Sequence, residues 1–125
     1  MTEEELKLRF KNFALRIINL VDSLPHVIST EAIARQIIRS GTSPAANYRA
    51  ACVAKSDKDF INKLKMVEEE LDETLFWMEL LVDSGKISKE RTQSLYQENL
   101  ELLSIVVSSI TTLRRKNESL SFLHE

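Results

Sequence analysis

The sequence predicts an all-α protein, an antiparallel up-down-up-down four-helix bundle with a second helix kinked near Gly41–Pro44. Apolar residues recur every three or four positions along nearly the whole chain, which is the period of a helix face. Only two Gly and two Pro occur in 125 residues, and so few turn residues suit long helices better than a sheet. Short connections then make successive helices antiparallel neighbours.

Composition is typical of one soluble domain, which we assign to residues 1–116 with a frayed tail at 117–125. The chain is 43% hydrophobic and 29% charged, as in ordinary globular proteins. No apolar run approaches the roughly 20 residues that cross a bilayer, and the acidic N-terminus does not resemble a signal peptide. A lone Cys52 suits a reducing compartment. We therefore expect a cytoplasmic protein without membrane contact.

The first helix begins at Thr2, because Thr2 and Glu5 have the spacing of a capping box. Pro25 ends it, since the residue before a proline is pushed out of the helical region. Its apolar face consists of Leu6, Phe10, Phe13, Ile17, Val21 and Leu24.

The second helix is capped by Ser29 or Thr30, and the segment Gly41–Pro44 interrupts its pattern. Either Pro44 opens a new helix, or it removes one backbone hydrogen bond and kinks a continuous helix. We favour the kink, because a break would leave two segments too short to span the bundle. The apolar face consists of Ile33, Ile37, Ile38, Ala45, Ala46 and Val53.

The third helix begins at Ser56, which has Asp59 three residues later, and ends at Gly85, a residue suited to a left-handed helix stop. Ser88 opens the fourth helix. The apolar face of the third helix consists of Phe60, Leu64, Val67, Leu71, Leu75, Met78 and Val82. That of the fourth consists of Leu95, Leu102, Val106, Ile110 and Leu113.

Residues for catalysis or metal binding do not occur in recognisable patterns. The two histidines, His26 and His124, lie in a turn and in the tail, and neither follows a glutamate at the spacing of di-iron bundles. Cys52 has no histidine on these helices to activate it. The acidic run at 68–73 is either a carboxylate cluster or, as we favour, a solvated helix face. We therefore predict no enzyme activity, metal, cofactor or small-molecule substrate.

Charge changes sign along the central helices. Residues 35–65 carry seven Lys or Arg and two Asp, whereas residues 66–83 carry seven Asp or Glu and no Lys or Arg. An antiparallel turn at Ser56 would bring these stretches together. We predict an interhelical network in which Arg39 pairs with Glu73, and Glu69 or Glu70 accepts from Thr42, Ser43 or Asn47. If these residues instead face water, they are unpaired surface charges.

Three segments carry a family resemblance: RSGTSPAANYRA at 39–50, DFINKL at 59–64 and DETLFWMELL at 72–81. They resemble the bacterial four helix bundle protein family, whose founding members are encoded in intervening sequences of 23S ribosomal RNA genes. The family is also called the S23 ribosomal protein family. The resemblance implies a ring-like homopentamer. It also implies kinship with accessory proteins of diversity-generating retroelements, which bind a reverse transcriptase and nucleic acid.

Two functions follow as hypotheses. The chain is either a non-enzymatic adaptor for structured RNA, a ribonucleoprotein or a reverse transcriptase, or a protein-interaction scaffold with no nucleic-acid role. In the first case the phosphate contacts would come from Arg35, Arg49, Lys55, Lys58, Lys63 and Lys65.

Apolar residues cover most of the third helix near its C-terminal end, which predicts a subunit interface. Phe76 and Trp77 could alternatively stack on nucleic-acid bases, but their helical spacing favours the core or an interface. The predicted interface consists of Phe76, Trp77, Leu80 and Leu81.

Overall fold

The computed structural model has four helices and, within residues 1–124 whose backbone it describes, no strand. Side chains are described for residues 1–120. The helices are α1 (Glu3–Asp22), α2 (Ile28–Cys52), α3 (Asp57–Asp83) and α4 (Lys89–His124). The predicted class, an all-α four-helix bundle, is confirmed.

Local sequence signals fix several helix ends. The Thr2 hydroxyl accepts from the Glu5 amide at 3.1 Å, and the Glu5 carboxylate accepts from the Thr2 amide at 3.1 Å. At the end of α3, Gly85 has a φ of 75°. The Lys86 amide donates to the Leu81 carbonyl at 3.0 Å, which completes a glycine-dependent stop.

The second helix departs from its predicted start. It begins at Ile28 after Val27, which supplies no side-chain cap, so the predicted cap at Ser29 or Thr30 is wrong. Thr30 is instead buried inside the helix. The helix continues through Pro44 without a break, as the continuous alternative expects. A bend at this point stays a prediction.

The fourth helix is longer than its pattern suggested. It extends over 36 residues to His124. Residues 117–124, expected to be a frayed tail, therefore continue α4, and Glu125 lies outside the described residues. Since α1 has only 20 residues, α4 extends well beyond the length of its partner.

Each helix contacts two neighbours in a four-cornered arrangement. The backbones of α1 and α2, of α2 and α3, of α3 and α4, and of α1 and α4 approach each other closely, and in the described residues the backbones of the diagonal pairs do not. Phe10 stacks on Tyr48 with ring centroids 5.0 Å apart, while Ile17 lies against Gly41. Residue numbers rise on α1 as they fall on α2, so these two helices are antiparallel.

Gly41 sets how closely α1 approaches α2. A Cβ atom at Gly41 would lie 2.7–3.0 Å from three side-chain carbons of Ile17. Ile17 is fully buried, so it has no room to withdraw. The glycine is needed here for its size, because its backbone has ordinary helical geometry.

Replacing Gly41 with alanine should therefore destabilise the fold. Overpacking costs about 1–3 kcal/mol, and alanine recovers at most ~1 kcal/mol of helix propensity. We expect Gly41→Ala to lower the free energy of unfolding by about 1–2 kcal/mol in urea titrations. In an Ile17→Ala background the same change should be neutral or stabilising. An equal cost in both backgrounds would contradict the contact.

Candidate functional site

A polar cluster joins α2 to α3 within the bundle. Asn47 Nδ2 donates to Glu70 Oε1 at 2.9 Å, and both side chains are half-buried. One level further along, the buried Thr74 hydroxyl donates to the Ser40 hydroxyl at 2.9 Å. The first contact was expected from the sequence, and the second was missed. The sequence feature that could have predicted the Thr74–Ser40 contact is a hydroxyl residue on the apolar face of each helix.

The Arg39–Glu73 pair also forms, but at the surface. Arg39 Nη2 lies 3.7 Å from Glu73 Oε2, and the two side chains are 68% and 37% exposed. Glu73 has a closer partner in Trp77, whose indole N–H donates at 2.9 Å. An exposed pair of this kind contributes at most ~1 kcal/mol. The two residues therefore pair as predicted, but they do so at the surface and not in a buried network.

Two predicted members lie outside the cluster. The Thr42 hydroxyl donates to the Ile38 carbonyl of its own helix at 2.5 Å, so it does not serve a glutamate. Glu69 is exposed and makes no hydrogen bond among the described side chains. Ser43 does face Glu70 and helps to stabilise its carboxylate.

Glu70 is the electrostatically unusual member of the cluster. Burial raises the pKa of its carboxyl above the ordinary value, and the hydrogen bonds from Asn47 and Ser43 offset only part of that effect. Because the folded protein holds this proton more tightly than the unfolded chain, the Glu70 contribution favours folding at low pH. This contribution to the free energy of unfolding decreases as the pH rises above 4.5, the ordinary glutamate pKa, and through the higher pKa of the folded state.

Glu70→Gln should therefore stabilise the protein at pH 7, since the amide oxygen still accepts from Asn47 and no charge is buried. The gain should disappear near pH 3, where both side chains are neutral. Urea unfolding at the two pH values measures it. Glu69→Gln, one residue away and exposed, is the control and should change little. If Glu70→Gln had a lower free energy of unfolding than the parent at pH 7 and an equal one near pH 3, the predicted cost of burying the Glu70 charge would be refuted.

The six candidate phosphate-binding residues do not form one patch. Lys63 Nζ pairs with Asp59 Oδ1 at 2.9 Å. Arg35 lies fourteen residues before Arg49 on α2, which separates them by about 21 Å along the axis. Lys55 and Lys58 lie together at the α2–α3 turn. Apart from Lys63, which is half-buried, these residues are exposed: Arg35, Arg49, Lys55, Lys58 and Lys65.

The predicted interface residues differ in burial. Phe76 is 52% exposed and Leu80 37% exposed, which leaves both available for association. Trp77 is half-buried and packs edge-on against Phe76, with the ring centroids 5.0 Å apart. Leu81 is fully buried in the core of its own chain, so its assignment to an interface is wrong.

Further apolar side chains are exposed on the outer helices, and the sequence reasoning missed them. The signal for them was an apolar residue outside the apolar face of its helix. On α1 and α4 the exposed set is Leu8, Leu15, Ile18, Leu100, Val107 and Leu120.

Two other features are chemically notable. Asn99 is fully buried on the apolar face of α4, and neither its oxygen nor its nitrogen has a hydrogen-bond partner among the described residues. Burial also raises the pKa of the Cys52 thiol, which disfavours the reactive thiolate at neutral pH. In the part of the chain that the structure describes, no cluster of three potential metal ligands occurs, and no helix is suited to crossing a membrane.

Comparison with known proteins identifies the class. The sequence model of the 23S rRNA-intervening sequence protein family matches residues 5–108. A crystal structure from Bacteroides thetaiotaomicron, described as a protein of unknown function from the S23 ribosomal protein family, is similar in fold and sequence. It has a TM-score of 0.80 and 36% identity, over 89% of this chain and 99% of the other. No match is found among curated proteins.

This chain therefore belongs to the 23S rRNA-intervening sequence protein family. The matched region contains α2 and α3 in full and ends within α4.

Proposed function

We propose that this protein is a non-enzymatic, self-associating helical adaptor that binds structured RNA through the α2–α3 turn. The observation that carries the proposal is the pair Lys55 and Lys58. Both side chains are exposed, and neither forms an ion pair among the described side chains. Membership of a family named for an rRNA-intervening sequence supports RNA as the partner.

Two lysines per chain bind phosphate weakly, so self-association is part of the proposal. Each neutralised phosphate releases counterions, and affinity grows with the number of phosphates contacted. A ring of five copies, as the family resemblance suggests, would present ten such lysines. Joining weak sites in one assembly also raises the overall avidity without any new contact.

Cys52 supports the non-enzymatic part of the proposal. Its thiol is a potential nucleophile, but burial raises its pKa. Nucleophilic catalysis by cysteine requires the opposite shift, toward a thiolate at neutral pH.

Reversing the charge at the turn should weaken RNA binding strongly. Lys55→Glu with Lys58→Glu places carboxylates at the N-terminal end of α3, where they suit the helix dipole, so helicity should be retained. We expect the affinity for a structured RNA to fall at least tenfold in 50 mM salt, and the salt dependence of any residual binding to flatten.

The matched control is Lys86→Glu with Lys89→Glu, at the α3–α4 turn on the opposite end of the bundle. It changes the net charge equally and should leave binding close to the parent, apart from a general charge effect. Equal losses in both variants would show that the α2–α3 turn is not the RNA surface. Absence of binding by the unmodified protein at low salt would overturn the RNA proposal.

A protein-interaction scaffold is the second candidate function. The Arg39–Glu73 pair already occupies one of the α2 arginines, and Phe76 and Leu80 expose apolar area on the acidic third helix. Apolar residues beside charges are typical of protein interfaces. This candidate predicts intact self-association together with no retention of RNA at low salt.

A further inference from the structure

A groove opens at the end of the bundle that contains the α2–α3 turn, because α1 is too short to accompany α4 there. Arg9 on α1 pairs with Glu98 on α4, and the later Arg16 with the earlier Ser94, so the two helices are antiparallel. Since α1 begins at Glu3, its start lies level with the α4 segment six residues past Glu98. Beyond that level α4 continues without α1 beside it.

Phe60, near the start of α3, is the floor of this groove, which we call the Phe60 groove. Its side chain is half-buried, and three adjoining cavities meet at it. The largest, of about 540 Å³, lies between Phe60 and α4. A second, of about 340 Å³, lies toward the start of α1, and a third, of about 360 Å³, lies toward the α2–α3 turn. An aromatic side chain is thus reachable from the surface.

The α4 side of the Phe60 groove is polar. Ser104, Ser108 and Thr112 line it at intervals of four residues, and Lys116 continues the row. All four side chains are exposed. Ser109 turns its hydroxyl back to a carbonyl of its own helix, but no hydrogen bond within the described part of the chain engages the three hydroxyls of the row. They remain available to a ligand.

Charges inside the groove are unevenly distributed. Lys55 lines it at the turn and Lys116 on α4. Two carboxylates also line it, Glu3 at the start of α1 and Asp57 in the first turn of α3. The Glu3 carboxylate lies 3.6 Å from Lys7 Nζ. Phosphate is therefore favoured on the side of the turn and α4, and repelled from the side of α1.

The surface around that side of the groove is basic. Residues 53–58 and 109–120 contain five Lys or Arg and only two acidic residues, Asp57 and Glu118. The cations next to the groove, besides those that line it, are exposed: Lys58, Arg114 and Arg115. A local excess of positive charge of this kind attracts a nucleic-acid backbone even when the whole chain is acidic.

Part of the groove lies outside the region that defines the family. The match to the family sequence model ends at residue 108, before Thr112, the two arginines and Lys116. The groove is therefore a feature of this chain that family membership alone does not supply.

We propose that the Phe60 groove binds an unpaired base of the RNA, stacked on Phe60, with the neighbouring phosphates held by Lys55 and Lys116. Proteins recognise unpaired RNA bases largely by stacking them on aromatic side chains. The aromatic floor, the hydroxyl row and the flanking lysines match the three parts of a nucleotide, namely base, ribose and phosphate. The proposal rests on RNA binding at the α2–α3 turn and adds that a single-stranded segment is recognised there.

Two RNAs test this, a blunt duplex and the same duplex with a single-stranded adenosine tail. The parent should bind the tailed RNA at least about fivefold more tightly, as expected for one stacked base. Phe60→Leu keeps an apolar side chain in the half-buried position but removes the ring. It should lose the preference for the tail and bind the blunt duplex as the parent does. Phe60→Tyr retains a ring and should retain the preference.

The matched control for the ring is Phe76→Leu, which removes an aromatic side chain that is 52% exposed elsewhere on α3. It should leave the preference for the tail unchanged. Lys116→Gln should weaken binding of the tailed RNA and lower its salt dependence by about one charge. Lys89→Gln, at the other end of α4, is its control and should change little. Circular dichroism and light scattering would verify the fold and the mass of each variant.

Equal binding of the two RNAs by the parent would overturn the base site and leave RNA binding at the turn intact. An unchanged preference for the tail in Phe60→Leu would do the same. If the mass of that variant also changed, the groove would be a contact between copies of the chain instead. Absence of binding to either RNA at low salt would overturn the proposed function together with the base site.

Discussion

The close contact of α2 with both neighbours is the constraint on which the rest of the structure depends. The middle of the inner face of α2 consists of the small residues Ser40, Gly41 and Pro44, all of them buried. On one side Ile17 fills the space that a side chain at Gly41 would need, and on the other Thr74 reaches the Ser40 hydroxyl. Larger residues here would push α1 and α3 outward together, because packed interiors have little free volume to absorb the change.

Much of this fold could be predicted because its signals are local. The capping box at Thr2 and the stop at Gly85 depend on a few neighbouring residues. The Asn47–Glu70 contact is one of the pairings predicted for two helices that fold back on each other at Ser56. The length of α4 could not be predicted, since its polar last residues resemble a frayed end, although no Gly or Pro occurs there to stop the helix.

Burial of individual side chains could not be predicted in the same way. Apolar residues surround α3 near its C-terminal end, and periodicity alone does not decide which of them faces the core, so Leu81 was misplaced. Arg39 and Glu73 lie at the expected level, yet their exposure depends on the rotation of two helices about their axes. The sequence predicts neighbours along the helix axes more reliably than it predicts their rotation. The exposed apolar side chains and the turn lysines could be assigned to the surface only when that rotation was known.

The proposed function requires that an oligomer of this chain, and not a monomer, binds structured RNA. Native mass spectrometry of the unmodified protein with and without a structured RNA tests this most directly. The account predicts a homo-oligomer of 14.4 kDa subunits that takes up RNA without dissociating, together with loss of the complex as salt rises. A 14.4 kDa species that is unchanged by RNA at low salt would contradict it.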